Sequence, residues 1–252
     1  MDLQLRGKRA IVTGGSRGIG KAIARQLALE GVDVVISARN QERLRATATE
    51  LASETGRRII PVVADTGDSK AVDALIATAV AELGGIDILV NNAAVPGGIS
   101  SATQLSDIVD QQVLDDIDIK VVGYLRTARA IAPHLIKNGW GRIINIGGLA
   151  IEKTGRPVAT LRNVGVAAIS KNLGDELGPK GINVVALHPG ATRTERTDPK
   201  NEAQLASNTS IGRIVDASEV ANVVVFLASP LSVAINGDAI RVGGGSRGTI
   251  HY

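Results

Sequence analysis

Seven short apolar runs constrain most strongly how this 252-residue chain can fold. They are residues 10–13 (AIVT), 33–37 (DVVIS), 59–63 (IIPVV), 86–90 (IDILV), 142–146 (RIINI), 182–187 (INVVAL) and 239–242 (AIRV). Val and Ile dominate them, with little polar alternation. Strands of a parallel sheet, covered on both faces, read this way. Longer stretches of helical character lie between them, including GKAIARQLALEG, ERLRATATELASETG, SKAVDALIATAVAELGG and SEVANVVVFLAS. Several end on glycine, a helix stop signal. Strand–helix alternation at this spacing implies right-handed βαβ crossovers. The expected class is α/β: a doubly wound, mostly seven-stranded parallel sheet with helices on both faces. No repeat, linker or low-complexity run interrupts it, so residues 1–252 read as one domain.

Residue types exclude several chemistries. The chain has no cysteine, which removes disulfides, thiolate catalysis and Cys-based metal sites. His134, His188 and His251 lie far apart without ligand spacing, so no metal site is expected. Aromatic residues make up only 2%: Trp140, Phe226, Tyr124 and Tyr252. Aromatic cages and base-stacking platforms are therefore excluded. The net charge of +3 comes from scattered basic residues rather than a cluster, so no nucleic-acid partner is expected. A phosphate-bearing small ligand fits mild basicity better. The start, MDLQLRGKRA, shows no apolar signal region, and no run reaches the ~18–20 apolar residues of a membrane span. The expectation is a cytoplasmic protein without a membrane partner.

The first strand runs into Thr13-Gly14-Gly15-Ser16-Arg17-Gly18-Ile19-Gly20 and then directly into a helix. Glycines let the backbone turn sharply and approach a pyrophosphate, and the helix N-terminus offers free N–H groups and a favourable dipole. The second strand ends Ser37-Ala38-Arg39-Asn40. An NAD site usually places an acid here for the ribose 2′-hydroxyl. Arg39, with Arg17 in the glycine loop, would instead clamp a 2′-phosphate, which an acid would repel. The expected cofactor is NADP(H).

From here the chain resembles the short-chain dehydrogenase/reductase family nearly end to end, and within it the 3-oxoacyl-carrier-protein reductase branch, so the fold it implies is the Rossmann type. The glycine loop matches the family's TGxxxGxG. Asp65-Thr66 matches its adenine contact, and Asn91-Asn92-Ala93-Ala94 its NNAG, with Ala for Gly. Gly181 through His188-Pro189-Gly190 matches the sixth strand and its PG turn. The resemblance then places Thr192 and Thr194 at the nicotinamide carboxamide. Ile211-Gly212-Arg213, residues 225–229 (VFLAS) and Gly243-Gly244 match the tail. A homotetramer or homodimer is the family's habit, and the helices around residues 120–137 and 158–177 would supply its interface.

The family's chemistry uses an Asn, a Ser, a Tyr and a Lys, in acid–base and positioning roles. The resemblance puts Lys120 at the asparagine, Gly148 at the serine, Ala159 at the tyrosine and Asn163 at the lysine. All four positions depart from the pattern, and no tyrosine occurs from 125 to 251. The Lys120/Asn163 exchange would keep one amine and one amide in the same cavity; two independently drifted positions are the simpler reading. Lys120 would supply the cation, and Asn163 would still bond the nicotinamide ribose. Tyr124 lies four residues after Lys120 on the same helical face and would reach the cavity with a pKa lowered by the lysine; packing in a helix-pair interface is its other reading. His188 would relay protons near neutral pH or sit satisfied at a strand end. Arg156, Arg162 and Arg193 would accept a carboxylate or phosphate, or be solvated. Residues 191–215 read as the substrate-side loop, and the polar run 195–210 suits a polar or anionic small-molecule substrate.

Three functions remain open on these residues. The first is an NADP-dependent oxidoreductase with rearranged acid–base groups, acting on a carbonyl, an alcohol or an activated alkene. The second is a silent NADP-binding subunit or sensor, alone or mixed with an active relative. The third is a lyase or isomerase that keeps the cofactor as structure.

Overall fold

A computed structural model describes residues 1–248. The seven apolar runs are the seven strands of one sheet: β1 (Arg9–Thr13), β2 (Asp33–Ala38), β3 (Ile59–Val63), β4 (Ile88–Asn91), β5 (Gly141–Ile146), β6 (Ile182–Pro189) and, last in the chain, β9 (Ala239–Val242). Their order is β3-β2-β1-β4-β5-β6-β9, and every neighbouring pair is parallel. The helices are α1 (Gly18–Leu29), α2 (Gln41–Thr55), α3 (Ser69–Leu83), α4 (Asp110–Ile117), α5 (Gly123–Asn138), α6 (Pro157–Leu177), α7 (Pro199–Ser207) and α8 (Ala217–Ala228). α2 and α3 stop at Gly56 and Gly84, as the glycine signals imply. No helix among the described residues is long and apolar enough to cross a membrane.

Alternate strand residues feed two separate cores, which explains the unbroken apolar runs. Ala10, Val12, Val34, Ile36, Val90 and Ile144 pack with α1, α2 and α8. Ile11, Val35, Leu89, Ile143 and Val184 pack with α3, α5 and α6 on the other face. β4 begins two residues later than the apolar run suggested. Asp87 in that run receives Arg9 Nε at 2.8 Å and Nη2 at 2.9 Å, closing the start of β1 onto the start of β4.

The segment 191–215, expected as a loop, carries more structure. Asp198 caps α7 by accepting Lys200 N at 3.0 Å, and Pro199 occupies the first turn. Two-residue strands β7 (Thr192–Arg193) and β8 (Val215–Asp216) pair and tie the two ends of the segment together. Strands this short carry no periodicity to read. His251 and Tyr252 lie outside the described residues.

One buried polar chain crosses the core. Thr127 Oγ1 donates to Asn91 Oδ1 (2.7 Å), Asn91 Nδ2 to Asn145 Oδ1 (2.9 Å), Asn145 Nδ2 to Ser170 Oγ (2.9 Å), and Ser170 Oγ to the Val166 carbonyl (2.7 Å). It joins α5, β4, β5 and α6 in sequence. Buried polar groups left unmet are costly, so the chain is stabilising only when complete. Asn145→Ala strands partners on both sides. We expect it to lower unfolding free energy by about 1–3 kcal/mol. Urea denaturation should show a lower midpoint with an unchanged slope, and an unaltered midpoint would refute this reading.

Candidate active site

The strand order reverses between β1 and β4, and ligands of open α/β sheets bind where the chain diverges at such a point. A cavity of about 590 Å³ opens there at the carboxyl ends of the strands. Its floor is a clamp on Thr13. Thr13 Oγ1 accepts the amides of Asn92 and Ala93, both at 3.0 Å. Asn92 Nδ2 reaches back to the carbonyls of Thr13 and Gly14, both at 3.2 Å.

The glycine loop is shaped by close approach. Gly14 has φ +66°, and a Cβ there would stand 2.8 Å from Asn92 Nδ2. A Cβ on Gly20 would stand 2.3 Å from the Gly14 carbonyl oxygen, so α1 packs on its own loop only without a side chain at this position. Gly14, Ser16, Arg17 and Ile19 line the cavity, whereas Gly15, Gly18 and Gly20 lie behind it and set its shape. The N-terminus of α1 already takes an anionic oxygen: Glu195 Oε2 accepts from Gly18 N at 3.2 Å.

Around this loop, Arg17, Arg39 and Arg43 line one end with Asp65 and Thr66. Burial and the charges of Arg196 and Arg43 lower the pKa of Arg17, which places these guanidiniums within electrostatic reach of each other. Arg39 is exposed and stands 3.8 Å from Asp65. Arg43 was missed in the sequence. The available signal was Asn40, whose Oδ1 caps α2 by accepting Arg43 N at 2.8 Å and so turns the third helical residue toward the mouth of the cavity. Asn92, Ala93, Ala94, Pro189, Gly190 and Thr194 complete this wall. Thr192 does not line it; its Oγ1 donates to the Gly190 carbonyl at 3.0 Å and steadies the turn.

At the other end, Lys120 and Asn163 meet. Lys120 Nζ donates to Asn163 Oδ1 and to the Gly147 carbonyl, both at 2.9 Å. Asn163 Nδ2 donates to the Ala159 carbonyl at 2.7 Å, which fixes the amide with its oxygen toward the lysine. Lys120 sits in a π-helical turn, residues 118–122, between α4 and α5; such bulges recur at functional sites. Gly148, Ala159 and both partners line the cavity. Lys120 is 5% exposed. Burial, then the charge of Arg162, lowers its pKa to about 7, while Asp116 opposes the shift.

Two expected acid–base candidates are corrected. Tyr124 does not line the cavity. It is buried within its own chain, and its hydroxyl donates to the Ile146 carbonyl at 2.9 Å. Burial raises its pKa instead of Lys120 lowering it. His188 is likewise absent from the lining, its Nδ1 accepting Gly148 N at 3.2 Å. Burial lowers its pKa to about 4, so it is neutral near pH 7 and no relay there. Of the three candidate anion-binding arginines, Arg156 at the start of α6 and Arg162 within it line the cavity. Arg193 is engaged elsewhere, with Glu202 and Asp216. Arg196, not singled out in the sequence, does line it.

The family model described as enoyl-(acyl carrier protein) reductase matches residues 14–247. A 3-oxoacyl-[acyl-carrier-protein] reductase of Vibrio harveyi is 35% identical, over 96% of this chain and 98% of its own. The short-chain reductase protein NovJ of Streptomyces niveus is 34% identical, over 94% and 92%. The crystal structure of L-sorbose reductase from Gluconobacter frateurii, complexed with NADPH and L-sorbose, superposes with a TM-score of 0.91 at 29% identity, covering 99% of this chain and 100% of its own.

The lysine environment makes stability depend on pH. Lys120 titrates at about 7 in the folded chain against 10.5 for the free side chain, so the unfolded chain holds more protons between these values. Stability conferred relative to Lys120→Met therefore rises with pH across that window and is flat below it. The expected gain from pH 7 to about pH 8.5 is about 2 kcal/mol. Denaturation of both proteins at the two pH values measures it, and parallel pH dependences would contradict the lowered pKa.

Proposed function

Because the chain belongs to the short-chain dehydrogenase/reductase family, we propose that it is an NADP(H)-dependent oxidoreductase of carbonyl compounds or their alcohols, with Lys120 as the proton-transferring group. The observation that carries this is the anchoring of Lys120 Nζ by two acceptors on the cavity wall. Two of its N–H groups are engaged. The remaining valence is a third N–H when the amine is charged and a lone pair when it is neutral.

The residues fit the cofactor. The glycine loop brings backbone against the cavity, the α1 N-terminus accepts an anionic oxygen, and three guanidiniums stand where a 2′-phosphate would be clamped. Asp65 and Thr66 would hold the adenine, and Thr194, Pro189 and Gly190 the nicotinamide end. When bound in reduced form, the nucleotide supplies the hydride. Lys120 Nζ then gives the proton that converts the carbonyl oxygen to a hydroxyl, and the neutral amine takes it back in the reverse direction. A group titrating near the working pH suits both directions. Asn163 holds the amine in place through Oδ1, and its lining position suits a ribose contact. Arg162 and Asp116 face Lys120 with opposite charges, and His188 is neutral at this pH.

Gly148 and Ala159 present no hydroxyl to the cavity, which favours one second reading: a subunit that binds the nucleotide without turnover. As an enzyme the chain assembles as a homodimer or homotetramer, and as a silent subunit alone or with an active relative; for either, α5 and α6 offer the exposed apolar Leu125, Leu161 and Val164.

Lys120→Met should lower reductive turnover by about 10²–10⁴ while leaving NADPH binding, followed by fluorescence, largely intact. Wild-type reduction should weaken as pH rises through about 7, because the protonated amine is the donor. NADPH binding without turnover of ketones, quinones or enoyl thioesters would establish the silent subunit instead. Arg39→Asp should cost NADPH at least about tenfold in affinity relative to NADH, and equal losses for both nucleotides would overturn the 2′-phosphate assignment.

A further inference from the structure

Arg162 lines the same cavity as Lys120, yet proton transfer does not require it. Its Nη1 is engaged: it donates to Asp116 Oδ1 at 3.1 Å and to the Val95 carbonyl at 3.3 Å. Nε is buried with no hydrogen-bond partner, and Nη2 makes no hydrogen bond among the described residues. A buried guanidinium N–H left unmet is costly and calls for an explanation. The Nε–Nη2 edge is one of the faces by which a guanidinium grips a carboxylate through two parallel bonds.

Arg162 belongs to the cavity wall, so a small turn of its side chain would bring this edge to a bound ligand. Helical side chains lean over the preceding turn, so Arg162 lies over Ala159, whose methyl leaves space on the cavity wall. Arg156 lines the cavity as well and donates Nη2 to the Gly97 carbonyl at 3.1 Å. The two arginines thus hold one loop, residues 95–97, from the same side. Asp116, itself buried, cancels the charge of Arg162 and receives the amides of Ile99 at 3.0 Å and Ser100 at 3.1 Å. Arg156 has no acidic partner among the described residues. One positive charge is therefore left over at this end, besides that of Lys120 when protonated.

From these observations we infer that the substrate is a short oxo acid, a carbonyl compound whose carboxylate is bound by Arg162 with Arg156 beside it. A monoanion balances the guanidinium charge left over and leaves the proton on Lys120 free for transfer, whereas a phosphate dianion would also neutralise the ammonium and hold that proton on the amine. This names the substrate class of the proposed oxidoreductase and rests on that reading of the cavity. Arg162 is thereby a specificity-determining residue, and Lys120 keeps the proton.

Calorimetric titration with oxamate, an unreactive oxo-acid mimic, tests the inference without turnover. Its neutral ethyl ester and methyl phosphate serve as comparators, with the protein both free and saturated with NADP⁺. Oxamate should bind at least about tenfold tighter than either comparator to the NADP⁺-saturated protein. Arg162→Lys keeps a cation opposite Asp116 but loses the fork. It should weaken oxamate at least about tenfold, and the exposed-site variant Arg156→Ala should weaken it less, with NADP⁺ affinity unchanged in both. Equal binding of oxamate and its ester, tighter binding of methyl phosphate, or an Arg162→Lys protein that binds oxamate as the wild type does would each overturn the inference. Failure of the oxidoreductase reading is separately visible, as absence of NADPH binding or of any turnover, while oxamate binding is read in the free protein too.

Discussion

Every parallel strand of the sheet ends on the same edge, and the two halves of the chain must part there. The clamp on Thr13 makes that parting tolerable. Divergence exposes the amides of Asn92 and Ala93, and one hydroxyl receives both. Asn92 answers by closing on the carbonyls of Thr13 and Gly14. The glycine loop is therefore set by bonds from β4, not by its own residues alone. The loop after β4 departs in the opposite direction and is gripped at Val95 and Gly97 by two arginines at the start of α6 and one turn further along it. Between these two fixed loops lies the cavity.

A buried amine is a poor stabiliser of a fold, since its charge is penalised by the removal of water. Lys120 is tolerated because two oxygens meet its N–H groups and because it sheds its proton near neutrality. Its position also depends on a local irregularity. The π-helical turn over residues 118–122 inserts a wider turn between α4 and α5 in the wall next to Gly147. The same turn carries Asp118, whose carboxylate takes Arg126 Nη2 at 2.6 Å, and Arg126 also reaches the Thr66 carbonyl at 3.4 Å. The irregular turn is thus tied to the loop after β3 as well as to the cavity wall at Gly147.

Much of this was legible in the sequence, for identifiable reasons. The strands were readable because burial on both faces leaves an unbroken Val/Ile signature, and the glycine loop because close backbone approach admits no side chain. The Lys120–Asn163 pairing came from resemblance, since no local pattern shows that residues forty-three apart share a cavity. Tyr124 and His188 were misread because ionisation depends on burial, and neither depth nor partners can be read from spacing. The spacing of Tyr124 and Lys120 on one helical face was right, but the tyrosine turns to the Ile146 carbonyl in the core. The vacant edge of Arg162 was invisible for the same reason: an unmet nitrogen becomes apparent only when every neighbour is placed.

Among the described residues, the cavity walls carry seven basic side chains, Arg17, Arg39, Arg43, Lys120, Arg156, Arg162 and Arg196, against one acidic lining residue, Asp65, with Asp116 paired to Arg162 outside the lining. Since the chain's net charge is only +3, this imbalance is local and not a property of the whole surface. Low-dielectric walls focus such a field outward through the mouth, so negatively charged small molecules are drawn in before any contact is made. The reach of that attraction is about 8 Å at physiological ionic strength and about 30 Å in dilute buffer. Encounter rates at this mouth therefore respond to salt far more than the fold does, and the medium sets how quickly a ligand arrives.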